Sequence, residues 1–258
     1  MAHEFDGSKY REGSTHQKEW GARLIEELQL LGHERVLDLG CGDGALSARI
    51  AALLPLGRVM GVDASRGMIE VASAKSEENL TFLIMDINRL DFNEEFDVVF
   101  SNAALHWVKD HRLLLSNIGK SLKRGGLLRA NFAGEGNCES FFKVIRETVV
   151  SNEFARFFSG FDWPWYMPSV DEYASLAREA HFSEVDVWGE NADRFFPGES
   201  EMIRWLDQPS LVPFLAVVPE DVKSRFRDHV VRRMVEETRQ EDGTCFETFR
   251  RINVKARK

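Results

Sequence analysis

Cysteine is scarce in this sequence. Only three of the 258 residues are cysteine, and no two of them form a C-x-x-C pair. An odd number of cysteines without such a pair argues against a disulfide framework and against a zinc site. We therefore expect Cys41, Cys138 and Cys245 to be free thiols, and we expect no metal in the functional site.

Long apolar runs and an excess of positive charge are also missing. No eighteen consecutive residues are apolar, and the sequence does not begin with a basic segment followed by an apolar one. These features predict a soluble, cytoplasmic protein that does not act at a membrane. The formal net charge is -9, which disfavours attraction to phosphate backbones, so nucleic acid is not an expected partner.

The sequence does contain enough apolar residues, 43% of the total, to bury a sizeable core in one elaborated domain or two small ones. Its short apolar runs lack the alternation of a half-exposed antiparallel sheet, which indicates strands buried on both faces. The strands predicted in this way are 36–39, 59–62, 80–85, 96–100 and 127–132. Residues 183–188 are also strand-like, and residues 249–256 alternate like a final strand. Apolar residues at helical spacing predict helices at 14–31, 45–54, 66–75, 111–122, 170–180, 200–207 and 220–238. Strands alternating with helices predict a doubly wound α/β fold with a mostly parallel sheet.

A glycine-rich turn connects the first predicted strand to the first helix of this pattern. Such a turn suits a nucleotide-like ligand, and Asp63 lies where a dinucleotide-binding protein has its acidic residue, so the spacing alone leaves an NAD-dependent dehydrogenase open. Asp38 and Asp43, however, would face the doubly negative pyrophosphate of a dinucleotide and repel it. A cofactor with an ammonium group and a sulfonium centre would be attracted by the same carboxylates.

The segment Val36-Leu37-Asp38-Leu39-Gly40-Cys41-Gly42-Asp43-Gly44 resembles the first motif of the class I S-adenosylmethionine-dependent methyltransferases. The resemblance implies that S-adenosylmethionine is the cofactor and S-adenosylhomocysteine the product. It places the Gly40 and Gly42 backbone beside the methionine moiety, Asp38 at its ammonium group and Cys41 in the lining of the turn. The fold implied is a seven-stranded Rossmann-like sheet with an N-terminal helical flap and a helical cap.

Two later strand ends carry acidic residues that match the same family. By this resemblance Asp63 accepts both ribose hydroxyls, which suits a carboxylate because each hydroxyl is a donor. Ala64 lies next to it, and Met68, one turn into the following helix, packs on the adenine. Asp86 and Ile87, after the third strand, match the residues that contact the adenine amino group.

The end of the fourth strand, Ser101-Asn102-Ala103-Ala104-Leu105-His106-Trp107-Val108, resembles the corresponding segment of trans-aconitate methyltransferase-like small-molecule methyltransferases. The resemblance implies that Asn102 lies beside the cofactor and that His106 lies near the transferred methyl group. An unperturbed histidine has a pKa suited to base catalysis, so His106 is the candidate catalytic residue. Methyl transfer to a carboxylate can also proceed by alignment alone.

The amino-terminal segment resembles a flap that covers the cofactor in many of these enzymes. Tyr10, Ser14 and Gln17 are its candidate contacts, although Ser14 and Gln17 are equally explained as a helix capping box. We therefore divide the chain into the flap and first helix (1–34), the cofactor-binding core (35–135), an aromatic-rich cap and helix (136–182) and C-terminal strands with a helical insertion (183–258).

The substrate side is less defined. Aromatic residues between Phe154 and Tyr166 could line an apolar acceptor pocket, but the core of the cap is the favoured interpretation. The arginines of the helix 220–238 (Arg225, Arg227, Arg232 and Arg233) are expected to form a solvated face, with binding of a carboxylate or an acidic carrier protein as the alternative.

We expect O-methylation of a small carboxylic acid. The alternatives are methylation of an acyl chain on an acidic carrier protein, C- or N-methylation, and a cofactor-binding protein without catalysis. The sequence leaves open whether the protein is a monomer or a dimer.

Overall fold

The computed structural model describes residues 15–258, apart from the side chains of residues 15–19 and 208–209. Within that range the chain forms two compact units. Unit 1 contains the residues up to Glu135 together with 165–190 and 251–258, and unit 2 contains 136–164 and 191–250. The cap and helix expected at 136–182 are thus divided between the two units.

Unit 1 is built around a seven-stranded sheet. The strands of the described chain are, in order, β1 (Arg35–Leu39), β2 (Arg58–Asp63), β3 (Leu80–Ile84), β4 (Phe96–Asn102), β5 (Leu122–Ala133), β6 (Ser183–Asn191), β7 (Arg194–Phe196), β8 (Cys245–Glu247) and β9 (Arg250–Arg257). A seven-stranded sheet has the order β3-β2-β1-β4-β5-β9-β6, and β7 pairs with β8 separately. Strands β1 to β5 pair in parallel, whereas β9 runs antiparallel to β5. The predicted fold class is confirmed.

Helices cover both faces of this sheet. The helices of the described chain are α1 (Thr15–Glu26), α2 (Ala45–Ala52), α3 (Arg66–Ser73), α4 (His111–Ser121), α5 (Glu139–Val149), α6 (Val170–Glu179), α7 (Glu199–Trp205), α8 (Val212–Leu215) and α9 (Glu220–Thr238). Buried residues of α1, α2 and α3 pack with Val36 on one face of β1. Buried residues of α4 and α6 pack with Leu37 and Leu39 on the other face. Because helices cover both faces of the sheet, the side chains on both faces of these strands are buried. This explains why the strands are continuous apolar runs in the sequence.

Helix α1 is shorter than the sequence predicts. It ends at Glu26 instead of Leu31. Gln29 has a left-handed backbone, with φ of 51°, and the carboxylate of Glu34 accepts the backbone N–H groups of Leu31 and Gly32. Because these side-chain bonds replace the helical ones, the chain turns before the apolar pattern ends.

Unit 2 has an aromatic core of its own. Phe154 is fully buried and its ring packs edge to face with Phe226 at 5.1 Å between centroids. Phe158 is also buried and packs against Phe226 and Phe214. These side chains act as core, as the sequence favours. Among the helices within residues 15–258, none has the length and apolar character needed to cross a membrane.

Candidate functional site

The carboxyl ends of β1 and β2 meet at one edge of the sheet. Asp38 is in register with Gly61, and the N–H groups of Gly40 and Cys41 both donate to the carbonyl of Val62, at 2.8 and 3.0 Å. These bonds hold the glycine turn against the end of β2. Ligands of open parallel α/β sheets bind at this edge.

The glycines of the turn are required by its backbone and by close packing. Gly40, Gly42 and Gly44 have φ values of 71°, 54° and 75°, in the left-handed region that favours glycine. A Cβ added at Gly40 would lie 2.2 Å from the Cβ of Ala104, in the loop after β4. The glycine turn and the β4 loop therefore lie in direct contact.

Asp38 is a buried carboxylate, 2% exposed, whose Oδ2 accepts the hydroxyl of Ser47 at 2.6 Å. Burial raises the pKa of Asp38 to about 7; the Ser47 hydrogen bond opposes this shift, and the negative charge of Asp63 adds to it. The two predicted cofactor carboxylates are thus close enough to repel each other. A cation bound beside them would relieve that repulsion.

Asp63 and Asp43 support the turn from two sides. Asp63 accepts the N–H of Gly42 at 3.0 Å through Oδ2 and the N–H of Ser65 at 2.9 Å through Oδ1. Asp43, 4% exposed, accepts the N–H of Ala45 at 3.1 Å, where helix α2 begins. Both predicted acids therefore also have a local structural role. Asp63 ends β2 with Ala64 following it, as predicted.

The remaining predicted cofactor residues lie near the same strand ends. Asp86 precedes a short 3-10 turn after β3, and its Oδ1 accepts both the backbone and side-chain N–H groups of Asn88. Ile87 and Met68 are 9% and 3% exposed, and Cys41 is a buried free thiol. Burial, together with the nearby charge of Asp38, raises the pKa of the Cys41 thiol well above its ordinary value.

Asn102 and His106 lie in the segment that follows β4. A Cβ added at Gly21 would lie 3.1 Å from Nδ2 of Asn102, so helix α1 passes beside this residue. Ala103 is left-handed, with φ of 57°, and its N–H donates to the carbonyl of Asn131 at 2.7 Å. The chain then forms a 3-10 turn, Leu105–Trp107, that carries His106.

His106 is held as a neutral imidazole. Its Nδ1 is buried and has no hydrogen-bond partner within the described part of the chain. Burial lowers the pKa of His106 to about 3, and the positive charge of Arg251 contributes in the same direction. A buried ring nitrogen without a partner is energetically unfavourable, so such a group at a site edge is a candidate for contact with a ligand.

Comparison with known proteins identifies the family. The family described as a methyltransferase domain matches residues 36–126. A trans-aconitate 2-methyltransferase of Deinococcus radiodurans is 31% identical over 214 residues, which are 78% of this chain and 80% of that protein. The chain belongs to the class I S-adenosylmethionine-dependent methyltransferases.

Two further comparisons cover nearly the whole methyltransferase. A trans-aconitate 2-methyltransferase of Rhodococcus jostii is 28% identical over 257 residues, or 98% of each chain. The structure of the YcgJ protein from Bacillus subtilis matches with a TM-score of 0.62 at 20% identity, covering 94% of this chain and 98% of that one. The structural match agrees with the Rossmann-like fold.

S-Adenosylmethionine is therefore the cofactor of this methyltransferase, and S-adenosylhomocysteine is the product. The chemistry of the site fits a cationic cofactor, since Asp38 and Asp63 lie near the carboxyl ends of neighbouring strands and their negative charges oppose each other. The dehydrogenase alternative is removed by family membership, and so is a binding protein without catalysis.

Sequence reasoning missed the residues that fix the His106 segment. His111 is buried; its Nε2 lies 3.0 Å from the carbonyl oxygen of Leu105, and its Nδ1 lies 3.0 Å from the hydroxyl of Tyr173. A carbonyl only accepts, so Nε2 carries the proton and Nδ1 accepts from Tyr173. The N–H of Tyr166 donates to the carbonyl of His106 at 2.9 Å. The contacts of Tyr173 and Tyr166 join residues about 60 positions apart, and nothing in the local sequence signals them.

The sequence also missed the polar side chains buried under helix α1. Arg251 is 4% exposed, its Nε donates to Oδ1 of Asn131 at 2.7 Å, and its guanidinium lies 4.5 Å from the ring centroid of Trp20. Alternation in the predicted last strand places Arg251 and Asn253 on one face. That alternation was a usable signal, because it places two polar side chains on the same face of one strand. Both side chains are buried in the structure.

The predicted flap contacts and the arginines of α9 remain to be placed. Tyr10 and Ser14 lie outside the described residues, and Gln17 lies in helix α1, where its side chain is not described. The arginines of α9 agree with the predicted solvated face: Arg225 pairs with Glu153 at 2.8 Å, and Arg227 pairs with Asp207 at 2.7 Å. Surface pairs of this kind contribute little to stability and leave carboxylate binding at α9 without support.

Proposed function

We propose that this enzyme transfers the methyl group of S-adenosylmethionine to an oxygen of a small-molecule carboxylic acid. The observation that carries the proposal is the buried Nδ1 of His106, which has no hydrogen-bond partner in the described part of the chain to stabilise a protonated ring. Burial also lowers the pKa of this imidazole to about 3. General-base catalysis is most efficient when the pKa of the base lies near the working pH. A base this weak is poorly matched to removing a proton from an alcohol or an ammonium group.

A carboxylic acid needs no such base. Its ordinary pKa is near that of a glutamate side chain, about 4.3, so it is already ionised and nucleophilic at neutral pH. The bound cofactor supplies an electrophilic methyl group whose transfer forms an O–C bond, breaks the C–S bond and leaves a neutral sulfide without moving a proton. The protein's contribution is then alignment and exclusion of water.

The proposal assigns the cofactor to the acidic strand ends. Asp38 would hold the ammonium group, and the Gly40–Gly42 backbone with Cys41 would contact the methionine moiety. Asp63 with Ala64 would accept the ribose hydroxyls. The adenine would lie against Met68, Asp86 and Ile87, with Asn102 beside the cofactor. Tyr10, Ser14 and Gln17 remain candidate contacts of a flap.

The named relatives support an acidic acceptor. Both proteins described above are named for methylation of trans-aconitate, a carboxylic acid. At 31% and 28% identity the likeness supports carboxylic acids as a class of acceptor, without selecting one acid. Methylation of a carrier-bound acyl chain is the remaining alternative, and it would not require a free acid.

The test is an acceptor panel. The enzyme is incubated with S-adenosylmethionine and, separately, with trans-aconitate, citrate, benzoate, dodecanoate, matched amines and an acyl carrier protein. Mass spectrometry is expected to show a methyl ester, recognised by its hydrolysis in mild base. Products methylated only on nitrogen, on carbon or on the carrier-bound chain would overturn the proposal.

The pH dependence of the same reaction tests the role of His106. With saturating cofactor and the best acid whose carboxyl groups are all ionised at pH 6, kcat is expected to stay constant from pH 6 to 8, because neither His106 nor such an acid changes its charge in that range. His106→Gln, which keeps a hydrogen-bonding side chain, is expected to show the same flat profile. A wild-type profile that rises with an apparent pKa between 6 and 7, and becomes flat in His106→Gln, would contradict this role.

A further inference from the structure

We propose that His111 and Tyr173 are positioning residues for methyl transfer, because together they hold the short turn that carries His106. The inference rests on the proposed function, in which the enzyme contributes alignment, and on the expected place of His106 near the transferred methyl group. The support runs from the Tyr173 hydroxyl through the His111 imidazole to the backbone beside His106.

Two hydrogen bonds from outside the turn fix the backbone on both sides of His106. Nε2 of His111 donates to the carbonyl of Leu105 at 3.0 Å, and the N–H of Tyr166 donates to the carbonyl of His106 at 2.9 Å. These carbonyls belong to the peptide groups before and after the Cα of His106. A 3-10 turn of three residues has hydrogen bonds of poorer geometry than an α-helix, so outside contacts decide where it lies.

His111 is itself fixed in position and in protonation state. It is buried, and its Nδ1 lies 3.0 Å from the Tyr173 hydroxyl. Burial lowers the pKa of His111 to about 4, with the bond to Leu105 opposing the shift, and burial raises the pKa of the Tyr173 hydroxyl. At neutral pH the imidazole is therefore neutral and the hydroxyl is protonated. The hydrogen bond from Tyr173 to Nδ1 then favours the tautomer in which Nε2 donates to Leu105.

Ring packing joins the two supports of the turn. The centroid of the His111 ring lies 4.7 Å from that of Tyr166 and 5.6 Å from that of Phe132. Phe132 in turn packs edge to face with Tyr173 at 4.9 Å. Because protein interiors are close-packed, a shift of the imidazole is passed to Tyr166 and from there to the backbone of His106.

His106 has a polar atom that this positioning would serve. Its Nδ1 is buried and has no hydrogen-bond partner among the residues that the structure describes. A neutral imidazole donates one hydrogen bond and an ionised carboxylate accepts it, so His106 would orient one oxygen of the acceptor while the other attacks the methyl group. An alignment error of about 1 Å can lower the rate about a hundredfold, and a small shift of the turn should therefore change kcat.

Ser121 supplies a matched control for Tyr173. Both residues are fully buried, and the hydroxyl of Ser121 donates to the carbonyl of Asn117 at 2.8 Å. Ser121 ends helix α4, which begins at His111. Tyr173→Phe and Ser121→Ala each remove one buried hydroxyl, but only Tyr173→Phe removes a support of the turn.

The experiment compares these two variants, using whichever acid of the panel (trans-aconitate, citrate, benzoate or dodecanoate) is methylated fastest. Tyr173→Phe is expected to lower kcat about tenfold with a change in KM of less than about threefold, because the acceptor still binds but is misaligned. Ser121→Ala is expected to keep kcat within about twofold of the wild-type value. Calorimetric affinity for S-adenosylmethionine and the circular dichroism spectrum check that each variant is folded.

Two variants of His111 separate positioning from packing. His111→Gln keeps an N–H that can donate to the carbonyl of Leu105, whereas His111→Leu keeps only the apolar volume. We expect kcat to be higher in His111→Gln than in His111→Leu by about threefold or more. In the His111→Leu background, Tyr173→Phe should lower kcat no further, because the hydroxyl acts through the imidazole.

The outcomes distinguish this inference from the proposed function. Equal kcat values in Tyr173→Phe and Ser121→Ala would overturn the inference, and a methyl ester product would leave the proposed function standing. An additional loss from Tyr173→Phe in the His111→Leu background would also overturn it. If His111→Leu does not fold, the comparison of Tyr173→Phe with Ser121→Ala decides alone. If the wild-type enzyme methylates none of the four acids, the proposed function fails, and the inference fails with it.

Discussion

At the scale of single residues, Asp38 combines two properties that oppose each other. In its proposed role Asp38 binds an ammonium group and must be ionised, but burial and the charge of Asp63 favour its protonated form. Its pKa of about 7 places this competition in the physiological range. The protonation state of Asp38 should therefore control how well the empty enzyme receives its cofactor.

We expect the affinity for S-adenosylmethionine to increase with pH. With a pKa of about 7, the ionised fraction of Asp38 rises about tenfold between pH 6 and pH 8, and the dissociation constant should fall by about the same factor. Isothermal titration calorimetry at several pH values measures this directly. Asp38→Asn should bind more weakly at pH 8 and show little pH dependence, and a variant that kept the wild-type slope would contradict the assignment.

Stability of the cofactor-free enzyme should change in the opposite direction. The pKa of Asp38 is raised on folding, so the folded state holds its proton more tightly than the unfolded state does. Between about pH 4 and pH 7 the free energy of unfolding should therefore lose a contribution from this residue as the pH rises. In urea titrations Asp38→Asn should lack that decline, and an identical decline in wild type and variant would exclude Asp38 as its source.

How much of the site can be predicted from sequence depends on the range of its contacts. Asp38, Asp63 and Asp86 lie at the ends of predicted strands, and parallel strands bring their carboxyl ends to one edge, so their grouping could be predicted. The structure adds Arg251 and His111, whose partners Asn131 and Tyr173 are 120 and 62 positions away. Such pairs depend on strand order and helix packing, which local periodicity does not encode.

At the scale of elements, the glycine turn is tightly constrained by its neighbours. Gly40→Ala should lower the free energy of unfolding by more than Gly160→Ala, because both positions have φ near 70° but only Gly40 is crowded, with Ala104 in the way. A left-handed alanine costs about 1 kcal/mol, and overpacking adds about 1–3 kcal/mol at Gly40. Urea unfolding of the two variants measures the difference, and equal losses would show that the contact with Ala104 is unimportant.

Helix α1 is attached to the sheet by a charge pair just past its end. Glu27→Gln should destabilise the protein by about 2 kcal/mol, because it leaves the buried guanidinium of Arg129 without its carboxylate. The neighbouring Glu26→Gln is the control, since its partner Arg49 is half exposed and such pairs contribute at most about 1 kcal/mol. Chemical denaturation of both variants gives the comparison, and a loss at Glu26 as large as that at Glu27 would contradict it.

The errors in predicting elements have identifiable physical causes. Helix α5 was overlooked although Phe141, Val144, Ile145 and Thr148 are buried at helical spacing, because the aromatic residues around it obscured the period. Strands β7 and β8 contain three residues each, too few for a period to be visible. The predicted end of α1 is wrong because the carboxylate of Glu34, which lies outside the helix, accepts the N–H of Leu31.

At the scale of the whole molecule, the sheet of unit 1 is completed by β9, which lies between β5 and β6. Ile252, Val254 and Ala256 of this strand are almost fully buried. Deleting residues 250–258 is expected to abolish cooperative unfolding and expose apolar surface that binds a dye such as ANS. Deleting Lys258 alone should leave a cooperative transition, and a cooperative transition in both deletions would show that β9 is dispensable.

The place of β9 in the sheet also affects the order in which the protein can fold. Asn131 and Asn253 bond to each other across 122 positions of chain, and β6 has β9 as its neighbour in the sheet. During synthesis β5 and β6 would therefore each have an unpaired edge until β9, which is made much later, has been synthesised. Contacts between residues so far apart in sequence slow folding, and unpaired strand edges favour association between chains. Strand β9 is thus among the last pieces of the sheet to be assembled, so the sheet of unit 1 is complete only when folding is nearly finished.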